Sequence, residues 1–75
     1  MIVELLNKLK WDKKYDFSKV KIYYVSRGDA NNIAVLQGNE IKNLGKMFIE
    51  TTKIFIPYHR IIKIEYEGKV IYEKK

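Results

Sequence analysis

The run Pro57, Tyr58, His59, Arg60 sets a rigid imino acid, an aromatic ring, an imidazole and a guanidinium in consecutive positions. Together they can stack on a base and donate hydrogen bonds to a phosphate. Arg60 and Arg27 are the two arginines of the chain, against thirteen lysines. Where lysine dominates so strongly, a planar five-donor fork at two positions singles both out for bidentate contact with an anion. Arg27 is followed by Gly28, whose permissive backbone allows close approach to a phosphate. Lys8, Lys10, Lys13 and Lys14 cluster around Trp11, giving a basic rim with one large ring that could stack a base.

Each residue also has a plainer reading. Arg60 could be buried against a carboxylate such as Asp12 or Asp16, tying a connector to the body of the protein. His59 alone reads more readily as a hydrogen-bonded structural histidine than as a ligand or catalyst, and Tyr58 reads equally as a core residue. Arg27 and Gly28 fit a solvated hairpin tip, and the lysines fit an ordinary charged face. Trp11 fits packing at the end of a helix.

The elements that must position these groups are few. The chain has 75 residues, 47% of them hydrophobic, and a net charge of +6, which predicts one small domain. The absence of Cys and the single His exclude a disulfide framework, thiolate metal sites, a cysteine nucleophile and multi-histidine metal centres. No cofactor is expected. No apolar run approaches the ~18 residues that cross a bilayer, and the lysines of the first ten residues do not fit a signal peptide. The expectation is a cytoplasmic protein without a membrane partner. The positive charge favours nucleic acid, but eleven Ile, six Tyr and five Asn accompany the lysines. That bias is expected of an AT-rich coding sequence or a heat-adapted proteome, so part of the charge is background.

Met1 to Lys10 predicts an amphipathic helix ending near Trp11, with Ile2, Leu5, Leu6 and Leu9 on one face. A polar connector follows from Trp11 to Ser18. Lys21 to Ser26, Ile33 to Leu36, Ile41 to Thr51, Lys53 to Ile56, Ile61 to Tyr66 and Val70 to Glu73 read as strands. Gly45 marks a bulge or bend in the third. The fold class is therefore α+β: an N-terminal helix on a curved, mainly antiparallel sheet of five or six short strands, or a small barrel closed from that sheet. For the last hairpin, pairing Tyr66 with Val70 and Ile64 with Tyr72, with a bulge at the turn, keeps one face apolar better than a two-residue turn at Glu67 and Gly68. Extended alternation puts Arg60 in a row with Ile54, Ile56, Tyr58, Ile62, Ile64 and Tyr66. Such a stretch exceeds one ordinary strand, and Pro57 lacks a ladder N–H. The chain should bend at Pro57 to Arg60 and project Tyr58, His59 and Arg60 into one cleft, shared with Arg27.

Taken in order, LNKLKWD at the start, YVSRG at Tyr24 to Gly28, GNEI at Gly38 to Ile41, FIPYHRII at Phe55 to Ile62 and the closing Ile64 to Tyr72 resemble the small archaeal family called the RNA cyclic group end recognition domain. The resemblance spans nearly the whole chain and is most specific at IPYHRI. It implies binding of RNA 3′ ends that carry a 2′,3′-cyclic phosphate or a related group, in RNA processing or repair, alongside RNA-processing enzymes. Carried over by position, the binding residues would be Tyr58, His59, Arg60, Arg27 and Gly28, with Lys8 and Trp11 at the edge.

Three functions are distinguishable. In the first, a non-catalytic reader, the two arginines and His59 donate to phosphate or sugar while Tyr58 or Trp11 stacks the terminal base. The second is a metal-independent phosphodiesterase with His59 as base, which would need a tuned Lys or Tyr as its partner. In the third, a protein-interaction accessory subunit, Arg and aromatic residues anchor an interface.

Overall fold

A computed structural model of the chain describes residues 2–26 and 33–74. The apolar stripe of the first segment winds into helix α1 (Ile2–Trp11), which buries Leu6 and Leu9 and packs Ile2 and Leu5 at the margin of the core. Glu4 in its first turn and Lys8 and Lys10 in its last complement the helix dipole. Beyond Trp11, Asp12 accepts a hydrogen bond from the Lys14 amide at 3.0 Å, which turns the connector. Asp16 then caps a 3₁₀ turn, Phe17–Lys19, by accepting from the Ser18 amide at 3.1 Å and the Ser18 hydroxyl at 2.6 Å.

These two bonds from Ser18 hold the Asp16 carboxyl below the ordinary aspartate value. A depressed pKa means the cap contributes fully above the unfolded-state value and is lost as pH falls through the folded-state one. Ser18→Ala should move the Asp16 pKa back up toward the ordinary value in a carboxyl-carbon NMR titration. An unmoved titration would contradict the cap.

Among the described residues seven strands follow: β1 (Val20–Val25), β2 (Ile33–Gln37), β3 (Ile41–Leu44), β4 (Phe48–Thr51), β5 (Phe55–Pro57), β6 (Ile61–Tyr66) and β7 (Lys69–Glu73). They form two antiparallel sheets, one ordered β2-β1-β6-β7 and the other β3-β4-β5. The α+β class stands, but the single sheet of five or six strands gives way to two sheets, and no barrel closes. The physical reason lies in the breaks. Gly45 is the start of a reversal, its amide donating to the Phe48 carbonyl at 2.9 Å, so Ile41 to Thr51 folds into the β3-β4 hairpin instead of one strand. Further 3₁₀ turns at Gly38–Glu40 and Tyr58–Arg60 carry the chain from one sheet to the other.

Both sheets and the helix share one core. Leu6 and Leu9 of α1 meet Val20 and Ile22 of β1, Leu36 of β2, Ile49 of β4, Ile56 of β5, and Ile61 and Ile64 of β6. Thr51 is buried among them with its hydroxyl satisfied: it donates to the Ile54 carbonyl and accepts from the amides of Ile54 (2.9 Å) and Lys53 (3.2 Å), closing the β4-β5 turn. Tyr66 packs its ring edge-to-face on Tyr15 at 5.3 Å and accepts from the Asp16 amide at 2.7 Å, which fastens the connector to β6.

The last hairpin combines the two registers weighed from the sequence. Glu67 (φ 50°) and Gly68 (φ 82°) form a two-residue turn of the primed kind, so Tyr66 faces Lys69 rather than Val70. A register shift between Ile64 and Glu65 then restores the expected Ile64–Tyr72 pair. The bulge lies inside the strand, not at the turn. Among the described residues no helix is long and apolar enough to cross a membrane.

Candidate functional site

Pro57 does bend the chain. It ends β5, an edge strand where a missing N–H is tolerated, and caps the 3₁₀ turn Tyr58–Arg60 that leads into β6. A 3₁₀ turn has three residues per turn, so successive side chains point about 120° apart. The expected convergence of Tyr58, His59 and Arg60 is therefore corrected. Tyr58 and His59 line one groove with Ile2, Lys46 and Met47, of about 370 Å³. Arg60 lines another. The single apolar row expected through Arg60 is broken as well: Ile56, Ile61 and Ile64 are the buried members. The turn and a register shift in the β1-β6 pairing change the parity twice.

Tyr58 is a fastening residue. Its hydroxyl donates to the Gly45 carbonyl at 2.6 Å, and its amide donates to the Met47 carbonyl at 3.2 Å. Burial pushes the phenol above its ordinary pKa, which keeps the donor protonated. Removing that bond with Tyr58→Phe should destabilise the fold by about 1 kcal/mol in denaturant unfolding. Unchanged stability would contradict the fastening role. His59 is exposed at the mouth of its groove, and its carbonyl accepts from the Lys74 ammonium at 3.0 Å.

The Arg60 cleft joins the two most informative sequence segments. Tyr24, Val25 and Ser26, from YVSRG, form one side; Phe55 and Pro57, from FIPYHRII, form the other, around about 200 Å³. Arg60 is half-buried there, and among the described residues no carboxylate pairs with it. The predicted clamp to Asp12 or Asp16 is absent, since these carboxylates accept from Lys14 and Ser18. Arg60 thus brings a planar five-donor fork to a cleft whose lining includes aromatic and hydroxyl groups, a chemistry that suits an anionic ligand. Arg27 and Gly28, next in the chain after Ser26, lie outside the described residues. Tyr24 and Phe55 stood inside the quoted motifs, but their meeting across two sheets has no local sequence signal.

Lys8 lies in a groove of about 500 Å³ with Leu5, Leu9, Tyr66, Lys69 and Ile71. Its lining mixes the aliphatic Leu5, Leu9 and Ile71 with the rings of Tyr15 and Tyr66, and its charges are the Lys8 and Lys69 ammonium groups and the Glu67 carboxylate, without a planar fork. Trp11 departs from the packing expected at a helix end: it is 75% exposed, with the Lys10 ammonium 5.8 Å from its ring centre. The candidate binding side chains among the described residues are thus distributed over three places. Arg60 has the chemistry for a phosphate, His59 stands at a second groove, and Lys8 and Trp11 lie on α1.

No solved structure matches the chain. Sequence relatives do. The UPF0248 protein of Archaeoglobus fulgidus is 36% identical over 70 residues, covering 92% of this chain and 99% of the relative. UPF0248 protein MK0350 of Methanopyrus kandleri is 33% identical, covering 84% and 85%, and UPF0248 protein PAE2518 of Pyrobaculum aerophilum is 32% identical, covering 96% of each. The profile of the MJ1316 RNA cyclic group end recognition domain matches residues 1–74, taking in both segments that wall the Arg60 cleft, and the chain belongs to that family.

Proposed function

We propose that the protein binds RNA 3′ ends bearing a 2′,3′-cyclic phosphate or a related terminal phosphate, without opening the ring, and presents them in RNA processing or repair. The observation that carries this reading is the Arg60 guanidinium, which no carboxylate pairs among the described residues, in a cleft lined from YVSRG and FIPYHRII. At about 200 Å³ the cleft is smaller than the ~300–1,000 Å³ of whole-ligand pockets. It suits a phosphate-bearing ring more than a complete nucleotide.

Arg60 donates to the phosphate oxygens, and Arg27 with the Gly28 backbone completes the anion contacts from the segment that Ser26 leads into. A cyclic diester carries a single negative charge, whereas an opened monoester carries close to two at neutral pH. Selectivity then rests on a few placed donors and a close-fitting wall rather than on a broad positive field. His59 donates to a phosphate or sugar further along the strand. Lys8 and Trp11 supply peripheral contacts, one ionic and one by stacking. The Tyr58 hydroxyl, committed to Gly45, is not an available partner for His59 in acid–base chemistry, which leaves Lys46 in the same groove as the candidate partner that a phosphodiesterase would need.

The test is binding of one labelled single-stranded RNA prepared with 2′,3′-cyclic phosphate, 3′-phosphate, 2′-phosphate and hydroxyl ends, at two salt concentrations, with product checked after each incubation. Preference for one phosphorylated end that survives the higher salt, without turnover, is expected. Equal binding of all four that collapses with salt would reduce the interaction to charge alone. RNA-independent association with a protein would favour the accessory-subunit reading.

A further inference from the structure

We propose that the outer face of the small sheet is a stacking platform for the last two bases of the RNA, with Phe55 taking the terminal base and Phe48 the one before it. This rests on the end-binding reading above and adds the path of the strand. Alternation in β4 buries Ile49 and Thr51 and turns Phe48 and Glu50 outward; in β5, Ile56 is buried while Phe55 and Pro57 face out. Phe48 pairs with Pro57 and Glu50 with Phe55, so the phenyl rings sit diagonally on one face. Their centroids are 6.3 Å apart at 66°, an edge-to-face arrangement that offers two faces in different directions.

Both rings are open to solvent, Phe55 at 65% and Phe48 at 46%. The core does not use them, and an exposed aromatic pair on a sheet marks a contact surface. Its occupant follows from the surroundings. Phe55 also lines the Arg60 cleft, so the platform is continuous with the proposed phosphate site. A strand whose end group sits at Arg60 meets this ring first. Sheets that hold single-stranded RNA commonly stack splayed bases on exposed aromatics. Glu50, directly opposite Phe55, can only accept hydrogen bonds when ionised. It suits base amino groups and keeps phosphates off the middle of the face, leaving the backbone to run along the Arg60 side.

Phe48→Leu and Phe55→Leu keep an apolar side chain on an exposed position, and circular dichroism would verify their folding. Each is compared with the parent for binding a 2′,3′-cyclic mononucleotide and a short single-stranded RNA with the same end. Phe48→Leu should weaken RNA binding by roughly 5- to 150-fold, the range of one base–aromatic stack, and leave the mononucleotide unchanged. Phe55→Leu should weaken both. RNA binding equal to the parent in both variants, while the parent still prefers the phosphorylated end, would overturn the platform and leave the end-binding reading standing. Equal binding of all ends by the parent, with the Phe48 effect retained, would overturn the end reading and support the platform alone. Sedimentation without RNA supplies the remaining outcome: a dimer of the parent that Phe48→Leu dissociates would assign this face to a second copy of the chain and overturn the proposal.

Discussion

Replacing Arg60 with Ala should abolish preference for a phosphorylated RNA end and leave a folded protein. A charge-assisted hydrogen-bonding group contributes about 1.5–3 kcal/mol, so affinity for the preferred end should fall roughly 10- to 150-fold. Affinity for a hydroxyl end should change little. The fold should tolerate the change, because among the described residues Arg60 holds no ion pair. The expected loss of stability is at most about 1 kcal/mol, chiefly from the packed stem. Arg60→Lys separates charge from geometry. A lysine restores a point charge without the planar fork, so it should regain part of the affinity and little of the preference. Fluorescence anisotropy with matched RNAs reads both quantities; full discrimination in folded Arg60→Ala would remove Arg60 from the site.

Gly38→Ala should cost the most stability of the alanine substitutions at the described glycines. Gly38 is buried where the 3₁₀ turn Gly38–Glu40 crosses the turn Phe17–Lys19. A Cβ there would fall on the Phe17 carbonyl oxygen and lie 2.8 Å from its carbon. The obstacle is backbone, which cannot swing away as a side-chain tip would. Overpacking of this kind costs about 3 kcal/mol or more, out of roughly 4–11 kcal/mol expected for a domain of this size. The displaced turn carries the Asp16 cap and the Asp16–Tyr66 bond, so the strain reaches β6. The melting temperature should drop by roughly 12 °C or more. A shift of only a few degrees in a calorimetric scan would mean that the two turns separate easily.

The helix and most strand positions were legible because burial imposes a period on them. Ile2, Leu5, Leu6 and Leu9 repeat as a helix must, and all four pack on or beside the core. What escaped local reading were the single turns, which are too short to leave a periodic signature. The turn Tyr58–Arg60 spreads three side chains that strand geometry would alternate. The reversal at Gly45 divides an apparently continuous strand in two. The value of Gly38, inside GNEI, is invisible until Phe17 lies against it. In the cleft, Arg60 was singled out by its rarity, but Phe55 was not, since alternation set it on the parity opposite Ile54 and Ile56 without showing which parity faces the core. Phe55 is exposed because β5 buries Ile56 instead. Trp11 shows the reverse error, an aromatic residue expected to pack that stands open.

Chemical-shift mapping of the uniformly labelled protein with a short RNA ending in a 2′,3′-cyclic phosphate tests the Arg60 assignment most directly. The largest changes are predicted at Tyr24, Val25, Ser26, Phe55 and the Arg60 side chain, and they should be weaker with the hydroxyl-ended RNA. Changes confined to the Lys8 and Lys69 groove, with the Arg60 cleft silent for both ends, would contradict it.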